Sequence, residues 1–403
     1  MNIYLLTSVY PAKDAPKGTT PVVHYFAKEW VAMGHQVHVF HLESVFPRPY
    51  YIIGKLFKNT LDSRLGHLVP NKRPIEYEET KDGVKVTHLL LKKNKPHGRF
   101  PKKQIKKTFV LISDYIQKEC VPDCFVGHWD NPQLDLLHLL KEKFKRPTCL
   151  VYHSNDYGRL IRCYGDEFDI LRNDIDLVGF RNQTSKNIYI KRFGVPEHSF
   201  IASSGISSAF IDAGRNSEKT IDTIRKFIFV GAIVERKYPL TNLNALAKSY
   251  KNEPFSMTYI GEGIQMKDLE PRFKELNCSG SIKVTGRIPR NEVISYLNEA
   301  DVFVMISKDE LFGLVYLEAM ALGCITIGSR KEGIDGIIID GENGFLCEAG
   351  NEDELSIIID KIRSMTPEQL KQMSDKAKQT AFYYSDVNVA ERYVEQLRSI
   401  SSI

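Results

Sequence analysis

Short runs of β-branched and aromatic residues alternate along this chain with amphipathic stretches of helical period, and that alternation restricts the fold more than any other feature. The opening run NIYLLTS (2–8) is followed by a helical pattern from about Thr20 to Met33 and then by HQVHVFHL (35–42), a βαβ opening. Further runs stand at 84–91, 124–128, 148–153 and 175–180, separated by helical patterns such as Pro132 to Phe144 and Thr184 to Phe193. Strand and helix in alternation predict a parallel sheet covered on both faces. The rhythm pauses over the small, polar stretch 203–222, read as an interdomain linker. It restarts at KFIFVGA (226–232), FSMTYIGEG (255–263), SIKVTG (281–286), ADVFVMIS (300–307) and CITIGS (324–329). The expected organisation is two doubly wound α/β domains, 1–205 and 206–382, with the amphipathic segment 383–403 packing back on the first. Ligands of such sheets lie at the carboxyl ends of the strands and in clefts between domains.

Composition narrows the class. With 403 residues, 42% hydrophobic, 26% charged, 26 Gly and 18 Pro, the chain is neither collagen-like nor disordered. No apolar run is long enough to span a membrane. The start MNIYLLTSVYP lacks the basic region of a secretory signal, which predicts a cytoplasmic protein. Seven cysteines, an odd number without a CxxC pair, argue against a disulfide framework or a zinc site. The net charge of +5 is uneven: residues 45–118 hold 17 basic and 6 acidic side chains, so one basic segment rides on a mildly acidic body. That predicts a local anionic partner.

The densest chemical signal is ELFGLVYLEAMALG (310–323), where Glu310 and Glu318 bracket a Phe-Gly expected to open a helix. Free amides around Phe312, Gly313, Leu314 and Val315 at a helix N-terminus favour an anion, and the glutamates can accept hydrogen bonds from sugar hydroxyls. The alternative is a solvated pair on a helix surface. In FIFVGAIVERKYP (227–239), Gly231 ends a strand and Arg236 and Lys237 follow it, cations suited to a diphosphate or simply to solvent. YIGEG (259–263) reads as a strand-to-helix turn at least as readily as a phosphate loop. His128 and His153 each end a predicted strand, so both face one sheet edge. Neither has metal-ligand spacing, and no D-x-D element, G-x-G-x-x-G after the first strand or G-x-x-x-x-G-K-[ST] occurs.

ELFGLVYLEAMALG resembles the E-x7-E signature of the family-4 retaining glycosyltransferases of the GT-B fold, and the similarity extends over most of the chain. The resemblance implies two facing Rossmann-like domains with an interdomain cleft. It also implies that Glu310 contacts the donor sugar, Glu318 the nucleotide ribose, and Lys237 and Gly231 the donor diphosphate. The family's usual arginine after the strand glycine is Ala232 here, leaving Arg236 as its nearest substitute. The family pattern places Arg287 and Ile288 beside the nucleobase, and Gly18 and Thr19 on a first-domain loop that approaches the donor phosphates. His128 matches a histidine near the reacting sugar, with His153 on the acceptor side. The resemblance implies no cofactor: the donor is a UDP- or GDP-linked hexose whose phosphates meet Lys237 and helix amides, without metal.

The segment 45–107, with VFPRPYYIIGKLFK and KKNKPHGRFPKKQIKK, mixes cations with aromatic and aliphatic residues. Such mixtures suit an anionic membrane surface, or else a solvated insertion; no nucleic-acid motif accompanies them. The expected function is therefore transfer of a hexose to a sugar or lipid-linked hydroxyl in surface polysaccharide or glycolipid assembly, from a site peripheral to the inner face of the plasma membrane. Two other classes fit less of the sequence: a silent sugar- or nucleotide-binding protein on the same fold, and a Rossmann-type epimerase or dehydrogenase, for which the glycine fingerprint is missing.

Overall fold

The computed structural model describes residues 1–13, 19–56, 73–93, 98–153, 156–217, 219–251, 253–277, 280–310 and 312–401. Gly18 and, in the basic segment, residues 57–72 and 94–97 lie outside them. The chain forms two compact units, Met1–Ala202 with Ala390–Ile403, and Ser203–Val389.

Among the described residues the first unit carries an eight-stranded sheet. Its strands are β1 (Asn2–Thr7), β2 (Gln36–Val45), β3 (Tyr77–Lys81), β4 (Val84–Lys92), β5 (Cys124–His128), β6 (Thr148–Tyr152), β7 (Leu177–Phe180) and β8 (Ser199–Ile201). They lie in the order β3-β4-β2-β1-β5-β6-β7-β8, parallel except for β3 against β4. The central strands β5, β6 and β7 are buried at every residue, as continuous apolar runs covered on both faces require. Trp30, on the helix Val22–Ala32, donates its indole N–H to the carbonyl of Ala390 and lies edge-on to Tyr393 at 5.0 Å. Phe26 and Phe200 meet the same Tyr393 ring, so the terminal helix Asp386–Ser401 closes this core.

The second unit holds a six-stranded parallel sheet of β9 (Lys226–Val230), β10 (Phe255–Ile260), β11 (Gly280–Val284), β12 (Val302–Val304), β13 (Ile325–Ser329) and β14 (Phe345–Cys347), in the order β11-β10-β9-β12-β13-β14. The short strands β3, β8 and β14 were too brief or too polar to register as periodic runs. Helix ends follow local chemistry: Asn351 accepts from the Glu354 amide, and Thr366 and Gln369 form a capping box with Pro367 as the first helical residue between them.

One expectation is corrected. The stretch 203–222 is not a linker: it contains the helix Ser208–Arg215, whose Phe210 and Ile211 are buried in the second core, hidden in sequence by the serines, glycines and asparagine around them. Its Ile206 pairs with Tyr384 and Asp386 through backbone hydrogen bonds, 3.0 Å and 2.9 Å, at the break between the helices Pro367–Tyr383 and Asp386–Ser401. Gly214 lets this helix press on the end of the helix Leu314–Ala321, because a Cβ there would stand 1.8 Å from the Ala321 carbonyl oxygen. Gly214→Ala should therefore lower the stability of the second unit by about 1–3 kcal/mol through overpacking, read as an earlier transition in urea denaturation followed by circular dichroism.

Candidate active site

In the second sheet β9 and β12 are neighbours, yet the chain leaves β9 toward β10 on one side and β12 toward β13 on the other. Their carboxyl ends are thus left uncovered by crossover connections, the place where parallel α/β sheets bind ligands. The loops that follow these two strands carry the predicted residues.

After β9 the chain turns at Gly231 and forms a single 3-10 turn, Glu235–Lys237. A Cβ at Gly231 would lie 3.1 Å from the Lys237 ammonium, so the glycine leaves that cation its room. Lys237 is buried, and its Nζ stands 3.0 Å from Glu310 Oε2. Arg236, half exposed, brings its guanidinium to 3.9 Å from the same oxygen. The two loops are tied together by the Lys308 amide donating to the Arg236 carbonyl at 2.8 Å. Ala232 is exposed and Arg236 supplies the nearby guanidinium. Gly261 and Gly263 serve packing: a Cβ at either would fall about on the Gly231 or Ile233 carbonyl oxygen, at 1.9 Å and 2.1 Å.

Glu310 is held from behind by a residue that sequence reasoning missed. Its amide donates to Glu332 Oε2 at 2.7 Å, and its carbonyl accepts from the Gly333 amide at 2.7 Å. Burial raises the Glu332 carboxyl above its ordinary range, against the pull of the backbone amides it accepts from. The only signal in the sequence was an acidic residue shortly after β13.

Gly313 caps the helix Leu314–Ala321 at φ +68, where a side chain would strike the Tyr316 ring. No side chain caps this end, and the Leu314 and Val315 amides have no hydrogen bond among the described residues. The buried Tyr316 hydroxyl donates to the Met305 carbonyl at 2.7 Å, pinning the helix start to the end of β12, while Phe312 is buried beside it. Glu310, Lys237, Arg236 and an open helix N-terminus therefore converge.

Glu318, one turn further on, is buried and ion-paired with Arg290, the first residue of the helix Arg290–Glu299. Arg287, expected beside the nucleobase, is exposed, and Ile288 packs against the core; the guanidinium paired with Glu318 is that of Arg290, which the sequence reading did not single out.

The first sheet repeats the arrangement at β1 and β5, whose connections also diverge. Thr7 and His128 are paired at these strand ends. His128 is wholly enclosed, shares a 2.8 Å hydrogen bond with His153 and lies 3.3 Å from the Tyr393 hydroxyl. Burial, with Arg181 nearby, lowers it to about 3, so it is neutral near pH 7. His153 is the partly exposed member of the pair and stacks on Trp129 at 3.9 Å, itself at φ +67. Thr19 is half-buried before the helix Val22–Ala32. Among the described residues no three His, Cys, Asp or Glu side chains converge as metal ligands.

Residues 211–380 match the family model described as glycosyl transferases group 1. The chain is 34% identical over 128 residues to an uncharacterized glycosyltransferase of Methanocaldococcus jannaschii, covering 32% of this chain and 35% of that one. It is 35% identical over 121 residues to a lipopolysaccharide 1,2-N-acetylglucosaminetransferase of Salmonella typhimurium, covering 29% and 31%. These alignments thus span only about a third of each relative. A crystal structure of a glycosyltransferase from Rickettsia africae superposes with a TM-score of 0.71 at 15% identity, covering 99% of this chain and 98% of that one, and the fold is of the GT-B type.

The Glu318–Arg290 pair has a pH signature. Burial holds the Glu318 carboxyl above its ordinary range and Arg290 opposes the shift, so Arg290→Gln raises it further. At about pH 7.5 the variant should lose about 1–3 kcal/mol of stability, the cost of a buried acceptor without its partner. The loss should shrink as pH falls toward about 5, because a carboxyl whose folded value is raised takes up its proton more readily in the folded chain. Urea titrations at both pH values check this; an equal loss at both means that Arg290 acts by packing over Phe210.

Proposed function

We propose that the chain, whose residues 211–380 match the model of the group 1 glycosyl transferases, is a retaining glycosyltransferase that moves a hexose from a UDP- or GDP-linked donor to a hydroxyl of a sugar or lipid-linked acceptor. The observation that carries this is the buried Lys237–Glu310 pair facing an uncapped helix N-terminus at the switch point of the second sheet.

Each part has a physical task. Lys237, Arg236 and the Leu314 and Val315 amides meet the charge that develops on the departing diphosphate, fixed dipoles and cations needing no reorganisation as the bond breaks. Glu310, its backbone clamped by Glu332 and Gly333, accepts hydrogen bonds from the sugar hydroxyls and sets the ring's orientation. Glu318, kept in place by Arg290, accepts from the ribose. In the transfer the bond from the anomeric carbon to the phosphate oxygen breaks and a bond to the acceptor oxygen forms on the same face. The acceptor's proton passes to the departing phosphate oxygen, so no protein carboxylate needs to serve as base. This reading places the diphosphate on protein cations and amides and uses no metal.

The acceptor is assigned to surface polysaccharide or glycolipid assembly. The named function of the Salmonella relative supports this, as does the helix Lys102–Lys118, which exposes Lys103, Lys106 and Lys107 beside Val110 and Leu111. An amphipathic face of that kind suits the anionic cytoplasmic side of a membrane. Replacing these three lysines by glutamine should weaken co-sedimentation with anionic vesicles by about 1 kcal/mol per lysine, with no effect on neutral vesicles.

The central test is Glu310→Gln. Turnover with a panel of UDP- and GDP-hexoses should fall on the order of 100-fold, as expected for lost orientation. Calorimetric binding of UDP or GDP should hold or tighten, because Lys237 is released from its carboxylate. Turnover within a few-fold of the parent would sink the assignment of Glu310.

A further inference from the structure

The carboxyl edge of the first sheet holds a charge that nothing described so far uses. Lys93 follows β4, its amide donating to the Val45 carbonyl at the end of β2. It is 7% exposed, and its ammonium lies 4.4 Å from the centre of the Phe100 ring. No oxygen among the described residues accepts a hydrogen bond from it. The groups acting on it are Arg159, the Cys163 thiol and Asp130, and burial followed by Arg159 lowers it to about 8.

The balance of charge here is incomplete. Asp130, 6% exposed at the end of β5, is already ion-paired with Arg159. Next door, Arg99 pairs with Asp135 and Glu167, and Lys102 with Glu167, so that group is neutral by itself. Among the described residues Lys93 is left as the second cation against one carboxylate in an enclosed place. Burying an ammonium without a counter-charge is costly, and a ring face supplies only part of what an anion would. Asn131, the residue after Asp130, is 9% exposed; its Nδ2 donates to the Gly98 carbonyl at 3.1 Å, and its Oδ1 is buried with no partner among the described residues. An orphan cation after β4 and an orphan acceptor after β5 thus stand at the carboxyl edge of this sheet, where ligands are expected.

We propose that Lys93 and Arg159 form an oxyanion subsite for the acceptor, taking a phosphate or carboxylate group that the acceptor carries, with Asn131 Oδ1 accepting one of its hydroxyls. Arg159 uses one edge of its guanidinium on Asp130 and keeps further N–H donors for a second anion. A neutral glycan would leave the Lys93 charge unanswered; an oxyanion restores the balance. The subsite rests on the glycosyltransferase reading only in calling its ligand an acceptor, and its residues all belong to the first unit, whereas those of the donor site belong to the second.

Inorganic phosphate is the first probe, titrated by calorimetry into the full chain carrying Lys237→Gln, which removes the donor-side ammonium from competition. Binding should persist in that background and weaken by about tenfold or more when Lys93→Met is added, while Lys93→Arg keeps it. Lys93→Met should melt at the same temperature as its parent or higher, since a buried unpaired charge is replaced by an apolar chain of similar length. Phosphate affinity unchanged by Lys93→Met, or loss of all phosphate binding with Lys237→Gln alone, overturns the proposal. Competition by glucose 6-phosphate but not glucose places the oxyanion on a soluble sugar; competition by vesicles containing phosphatidic acid but not by plain phosphatidylcholine places it on a lipid. UDP and GDP titrations of the unaltered chain are read separately: failure there counts against the glycosyltransferase reading and leaves the phosphate result standing.

Discussion

The constraint on which the site depends is the reversal of strand order in a parallel sheet. Every parallel strand must hand its chain to a crossover that climbs back over one face, and wherever two neighbours hand theirs off in opposite directions, no connection covers the gap between their carboxyl ends. In the second unit those neighbours are β9 and β12. Their backbone pairing brings Lys237 and Glu310, 73 positions apart in sequence, to within 3.0 Å. The first unit makes the same gap between β1 and β5, and there the polar groups are His128, His153, Asp130 and, one strand beyond β2, Lys93.

A gap of this kind exposes polar groups to partial desolvation, and the protein offsets that penalty locally. The Glu310 loop is fastened through its backbone by Glu332 and Gly333, which leaves the Glu310 side chain for its cations. Tyr316 ties the first turn of the following helix to the end of β12, so the open amides of that turn are held rigidly. Glu318 is answered by Arg290 from another helix. Orientation fixed in advance in this way is what distinguishes a site from a set of exposed charges.

Most of the strands were legible in the sequence because central parallel strands must be apolar on both faces, which makes runs such as CFVGH and ADVFVMIS stand out. Glu310, Lys237 and the helix start at Gly313 were legible because their types and spacing form a recognisable motif, and the geometry brings them together. What stayed hidden has physical reasons. Glu332 works through a backbone acceptor bond, which no residue pattern announces. Arg290 belongs to no motif, and only its place at the start of the helix Arg290–Glu299 brings it to Glu318. The helix Ser208–Arg215 carries two large apolar residues among small polar ones, too few for a periodic signal, yet Gly214 makes its close packing possible. The histidine that the motif singled out, His128, is enclosed, and the sequence had no means of telling an enclosed ring from its partly exposed neighbour His153.

The return of the terminal helix to the first unit has a consequence for how the chain is born. Trp30, Phe26 and Phe200 all close on Tyr393, a residue made after the whole of Ser203–Val389. During synthesis the first unit therefore waits with an unfilled aromatic socket while the second, continuous in sequence, has every strand it needs. The packing of the earlier unit therefore cannot be completed until the chain has passed through the whole of the later one.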